Sequence, residues 1–108
     1  MNDETLAGMV ERIVSEVDPE QVYMFGSRAR GTATELSDLD ILVVERDPFG
    51  RERSRRREMA RLWRLLAEYR VPKDILVYSS EEVRHWRGAR NHVIAHALRE
   101  GRLLHEKA

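Results

Sequence analysis

Hydrophobic positions near the start of the chain recur at helical spacing. Leu6, Met9, Val10, Ile13, Val14 and Val17 follow the i, i+3, i+4, i+7 pattern, which predicts a helix with one buried face. Asp3 or Thr5 is the expected cap, with Glu4 near the positive end, and Asp18-Pro19-Glu20 ends the helix. Val22 to Phe25 is short, apolar and β-prone, and reads as a first strand. Ser27 to Gly31 predicts a short helix, Thr32 to Ser37 a polar loop, and Leu39 to Glu45 a second strand. Asp47-Pro48-Phe49-Gly50 then breaks the pattern. A helix is predicted from the arginine-rich segment that follows through about Arg70, with Met59, Leu62, Trp63, Leu66 and Tyr69 on its buried face. Val71-Pro72 closes it and Asp74 to Tyr78 forms a third strand. Ser79 and Glu82 have capping-box spacing at the head of a short helix anchored by Val83 and Trp86. After an interruption at Arg90-Asn91, a last helix spans Val93 to Glu100, Gly101 is its expected C-cap, and Arg102 to Glu106 is a short edge strand.

This order predicts an α/β (α+β) domain, with a small mixed β-sheet and helices packed mainly on one face. A single domain over residues 1–108 with a modest core is the expectation, since no repeat or linker interrupts the pattern.

Composition changes this picture only in places. Nineteen basic and nineteen acidic residues cancel, so net charge gives no argument for nucleic-acid binding. No apolar run approaches the ~20 residues that a membrane span requires. The absence of cysteine excludes disulfides and thiolate metal sites. With Met1-Asn2-Asp3-Glu4 lacking signal-peptide character, it makes the cytoplasm the expected location. Seventeen arginines stand against two lysines, five of them between Arg51 and Arg57. The segment Arg51 to Arg64 has three readings: a nucleic-acid contact, a docking face for an acidic partner, or a solvated helix face interleaved with Glu52 and Glu58. Aromatic interleaving, which base stacking would favour, is absent from Arg51 to Arg57.

Candidate chemistry concentrates where two apolar runs are joined. Val22 to Phe25 leads into Gly26-Ser27, and Asp38-Leu39-Asp40 opens Ile41 to Val44. Asp38 and Asp40 are two apart, so on a strand both side chains leave the same face. Two adjacent carboxylates repel one another unless a cation lies between them, and Mg²⁺, which takes oxygen ligands and substrate phosphates, is the natural one. Glycine has no Cβ to obstruct a phosphate, so Gly26 and Ser27 form a candidate phosphate turn. Arg28 and Arg30 flank that turn and either add positive charge to it or remain solvated. Asp74, opening the third strand beside Lys73, is the candidate third carboxylate; a plain strand-edge acid is the alternative. Glu45 and Asp47 read as ordinary strand-end charges. His92 and His96 stand at i, i+4 without a third ligand at obvious spacing, which favours capping or packing over metal binding.

Gly26-Ser27, ten intervening residues and Asp38-x-Asp40 resemble the signature of the polymerase-β-like nucleotidyltransferase superfamily. The local form GSRARGTATELSDLDILV is similar to the minimal nucleotidyltransferase (MNT) antitoxins encoded beside HEPN toxins. That resemblance covers nearly the whole chain and implies a nucleotidyltransferase palm. It implies two Mg²⁺ ions held by Asp38, Asp40 and Asp74, and ATP as substrate with its β- and γ-phosphates on Gly26 and Ser27. It further implies AMP transfer to a tyrosine of a cognate HEPN toxin, which silences it. A non-catalytic antitoxin that acts by occlusion, and a transferase acting on a small molecule or RNA, are the rivals. A homo-oligomer is also plausible for a small palm with an open sheet face or edge.

Overall fold

The computed structural model describes residues 1–108, and its first helix is the one the heptad-like spacing predicts. Helix α1 spans Asp3–Val17 and buries Leu6, Met9 and Ile13, while Val10, Val14 and Val17 are only partly covered. Its cap is neither Asp3 nor Thr5. Asn2 lies in extended conformation and its side chain accepts the Thr5 N–H at 2.8 Å. Strand β1 (Gln21–Phe25), helix α2 (Ser27–Arg30), strand β2 (Leu39–Glu45) and helix α3 (Arg55–Leu65) follow. Strand β3 (Lys73–Ser79), helices α4 (Ser80–Trp86) and α5 (Val93–Glu100) and strand β4 (Arg102–Glu106) complete the chain.

The four strands form one mixed sheet in the order β3-β2-β1-β4. β1 is antiparallel to both β2 and β4, whereas β2 and β3 run parallel. β2 is central and buried almost throughout, because its side chains meet a core on both sides. Leu39, Ile41 and Val43 join Val22, Met24, Ile75 and Val77 beneath α1 and α3, which contribute Met9, Ile13, Leu62 and Leu66. Leu42 and Val44 face the other way, onto Val83 of α4 and Ile94 and Ala97 of α5. The two longer helices and the larger core thus lie on one face, as expected. The second face is not open, however, since the two short helices cover part of it.

Three local differences from the pattern have physical reasons. α3 ends at Leu65 rather than near Arg70; the chain then turns, and Leu66 and Tyr69 still reach the core from the turns. Trp63 is 52% exposed, because it stands one position past the buried Leu62 and so is rotated about 100° from it. It lies beside the Lys73 ammonium, 5.4 Å from the ring centre. Gly101 follows α5 in extended, not left-handed, conformation. A Cβ there would sit 3.0 Å from the Met24 carbonyl oxygen, so glycine allows the close return of the chain to β1.

Two further features shape the ends of the sheet. On β4, Val22 pairs with His105 and Tyr23 with Leu103, which leaves Leu104 as the extra residue of a bulge. At the opposite end of β2, Glu45 is 4% exposed. It is ion-paired with Arg53, which also lies 3.3 Å from Glu58. Arg61 joins Glu58 at 3.3 Å to Glu16 at 2.9 Å. Three carboxylates therefore share two guanidinium groups, and the most buried of them takes up a proton. Burial, then the neighbouring Glu58, pushes the Glu45 carboxyl up to about 8 from an ordinary 4.5, against the pull of Arg53.

The arrangement of α3 predicts unequal costs for adjacent residues. Leu62→Ala should cost about 2–5 kcal/mol in a denaturant titration, and Trp63→Ala less than about 1 kcal/mol. A second prediction follows from Glu45. The folded chain holds a proton there that the unfolded chain releases. This contribution is complete below about pH 4.5 and is lost as pH rises towards 8. The thermal midpoint of the wild type should therefore fall between pH 5 and pH 8 more than that of Glu45→Gln, whose side chain cannot ionise.

Candidate active site

The site is built where β1 leaves the sheet. The antiparallel register sets Phe25 opposite Asp40, so the next residue turns directly beside that carboxylate. Gly26 has φ 75° and ψ −158°, a region essentially confined to glycine. A Cβ at this position would lie 3.2 Å from Asp40 Cγ and collide with its Oδ2. Both backbone shape and space require glycine here. The Gly26 carbonyl accepts the Ala29 and Arg30 N–H groups at 3.1 Å and so starts α2, with Ser27 as its first residue. Ala29 fixes this single turn by packing on the larger core.

The three carboxylates meet at one end of the parallel pair. β2 and β3 run in register, and Asp40 stands level with Asp74. Alternation places Asp40 on the same face as Leu42 and Val44, and Asp74 on the same face as Leu76 and Tyr78, all of which border the smaller core. Asp38 stands just before β2, close enough for its charge to reach Asp40. Burial holds the Asp40 carboxyl above its usual range, the charges of Asp74 and Asp38 push it further, and Arg30 draws it back. No three His, Cys, Asp or Glu side chains are grouped tightly enough to cage an ion unaided.

The two arginines of the turn part company. Arg30 pairs with Glu100 at the end of α5, 3.4 Å away, and its charge reaches Asp40. Arg28 instead turns towards the loop: its Nη2 donates to the Ser37 carbonyl at 2.8 Å, and its Nε is buried without a partner. The engagement of Glu100 and the direction of Arg28 leave no mark in the sequence, because both contacts join elements distant in the chain or turned by the loop.

Other candidates fall outside the site. His92 caps α5, its Nδ1 accepting the Ile94 N–H at 3.1 Å, and its ring stacks on Trp86 at 4.3 Å. His96 lies beside Arg99. Neither meets a metal cluster. Glu45 is no ordinary strand-end charge but the buried acid described above, while Asp47 is exposed beside Arg46. Within the arginine segment, Arg53, Arg55 and Arg61 are engaged with Glu45, Glu82 and Glu16 respectively. They line or border the largest cavity, 720 Å³ in volume, where basic groups are matched by acids of the same chain. That cavity is at the Glu45 end of β2, six residues along the strand from Leu39 and about 20 Å from the carboxylate trio.

Comparison with known proteins agrees with this geometry. The nucleotidyltransferase domain family matches residues 6–105. No curated protein sequence matches significantly. Among solved structures, the chain is similar to a nucleotidyltransferase of undetermined role from Sulfolobus solfataricus, with 26% identity and a TM-score of 0.66 over 96% of this chain and 79% of that one. It also resembles a toxin–antitoxin structure with AMP-PNP, at 20% identity and a TM-score of 0.56 over 94% of this chain and 73% of that one. A third likeness is to the complex of a tri-AMPylated Shewanella oneidensis HEPN toxin with its MNT antitoxin. It has 16% identity and a TM-score of 0.57 over 99% and 74% of the two chains. With a family match from the first helix to the last strand, and a glycine turn set against Asp40 with Asp74 level with it on the next strand, the chain belongs to the nucleotidyltransferase domain family.

Proposed function

We propose that this protein is an antitoxin that transfers AMP from ATP to a hydroxyl, a tyrosine, of a cognate HEPN toxin. The observation that carries the reading is the register of β2 on β3. It sets Asp40 level with Asp74 beside the Gly26 turn, with Asp38 just before the strand. The likenesses to an antitoxin with AMP-PNP and to one complexed with an AMPylated HEPN toxin support the choice of nucleotide and acceptor.

Each residue has a role its position allows. Gly26 lets the backbone approach a phosphate, and Ser27 offers a hydroxyl and an N–H to the β- and γ-phosphates. Arg30 adds positive charge near the same point, while Arg28 is turned away. Asp38, Asp40 and Asp74 are the candidate ligands for Mg²⁺. The donor set fits: it is all oxygen, and burial first, then the charges of Asp74 and Asp38, hold the Asp40 carboxyl above its usual range, a repulsion of the kind a divalent cation relieves. Bound there, Mg²⁺ supplies charge neutralisation on the triphosphate and lowers the pKa of the attacking hydroxyl. Asp74, which is exposed, would take the proton of that hydroxyl as its oxygen bonds to the α-phosphorus and the bond to the β-phosphate breaks, releasing pyrophosphate. The fragment of chemistry left to the protein is positioning.

Incubation with ATP, Mg²⁺ and the co-encoded HEPN toxin, followed by intact-mass spectrometry, tests the reading. Whole AMP units should appear on the toxin, and Asp38→Ala/Asp40→Ala should slow their appearance at least about a hundredfold. Neutralisation without added mass would establish occlusion instead. Asp40→Asn should likewise abolish transfer yet leave the thermal midpoint equal to or above that of the wild type, because it removes a charge that the folded state repels. Gly26→Ala should cost about 1–3 kcal/mol in chemical denaturation and weaken binding of an ATP analogue in calorimetry.

A further inference from the structure

We propose that Arg28 is a positioning residue that sets the backbone of Asp38; its bearing on catalysis rests on the transferase reading above. Asp38 lies at the junction between the Thr32 to Ser37 loop and β2, with its own side chain exposed. A side chain in that situation is oriented only as well as its backbone is. The two peptide groups that flank its Cα are both held. On one side the Ser37 carbonyl accepts Arg28 Nη2 at 2.8 Å. On the other the Leu39 N–H donates to the Pro72 carbonyl at 2.8 Å. Peptide groups are planar, so a hydrogen bond on each narrows the range of φ and ψ open to the residue between them.

The first residue of the loop is tied to α2, where the Thr32 N–H donates to the Ser27 carbonyl at 3.0 Å, but the bonds nearer Asp38 are internal to the loop. Thr34 N–H donates to Ser37 Oγ at 2.9 Å, Ser37 N–H to the Thr34 carbonyl at 3.1 Å, and Leu36 N–H to Thr34 Oγ1 at 3.3 Å. These bonds give the loop its shape but do not attach it to the sheet. At its tip Leu36 is 89% exposed, so no core contact anchors it either. Arg28 attaches it. The guanidinium is partly buried on α2, whose own start is fixed by Gly26, and a charged donor on a carbonyl makes a strong bond. One short helix thus carries the phosphate turn at its first residue and holds the first carboxylate through its second. That side chain ties the backbone before Asp38 to the turn, whose own place beside Asp40 is set by the β1–β2 register.

The test compares Arg28→Met, which keeps length and bulk but no donor, with Arg28→Lys, which restores one donor. Hydrogen exchange should show the Leu36, Ser37 and Asp38 amides of Arg28→Met exchanging about tenfold faster or more, with β1 and β3 amides unchanged. At saturating ATP, AMP transfer to the toxin should fall about 10- to 100-fold in Arg28→Met with KM for ATP within about twofold, and Arg28→Lys should recover much of the rate. Loop exchange indistinguishable from wild type would overturn the proposal. So would a raised KM for ATP at unchanged kcat, since Arg28 would then be a phosphate contact. If the wild type itself transfers no AMP, the transferase reading fails separately, and the exchange data alone decide the role of Arg28.

Discussion

Two carboxylates sit side by side on adjacent parallel strands, and the rest of the domain makes that arrangement tolerable. Like charges directly opposite one another weaken a strand pair. Here the pairing is held by what lies beyond Asp40 and Asp74. Ile41, Val43, Ile75 and Val77 are nearly inaccessible beneath α1 and α3. A register slip of one residue would move all four out of the core and carry the acids to the wrong face. The hydrophobic alternation of β2 and β3 is therefore the device that keeps the acids together, and the site inherits its geometry from the core.

The charged periphery follows a different logic. Arginines on and before α3 are engaged with glutamates from α1, β2 and α4, so the segment adds ion pairs at the edge of the core that α1, β2 and α3 share. Arg55, paired with Glu82, also donates to the Val77 carbonyl and lies over the Phe49 and Tyr78 rings. For these residues the solvated-face and nucleic-acid readings both give way to an internal one. Arg51, Arg56, Arg57 and Arg64 remain outside the ion pairs.

Elements with strong periodicity were legible in the sequence, and so were the acids that open β2 and β3 and stand level across them. Asp38-x-Asp40 is a local pattern, and Asp74 announces itself by opening the next apolar run. What escaped were features decided by tertiary context. Asn2 caps α1 because Asp3 is already helical, a distinction of one residue that no spacing resolves. Trp63 looks apolar enough for the core, yet the helical angle carries it past the seam that Leu62 fills. Glu45 ends a strand like many exposed acids, and only the return of Arg53 across it, eight residues later, closes it off from water. Arg28 and Arg30 are alternate residues of the same turn with opposite fates, because one faces the loop and the other faces α5.

The bulge at Leu104 bears on how this sheet meets other proteins. A regular outer strand invites any passing strand to continue its ladder, whatever that strand's sequence. β4 offers no such continuous ladder: the extra residue interrupts the spacing of its hydrogen-bonding groups midway, and Arg102 and Glu106 put charge at both ends of the strand. A newcomer would find a mismatched edge on this side. Recognition there must be made by side chains, whose identity is encoded, and not by backbone, which every chain has in common.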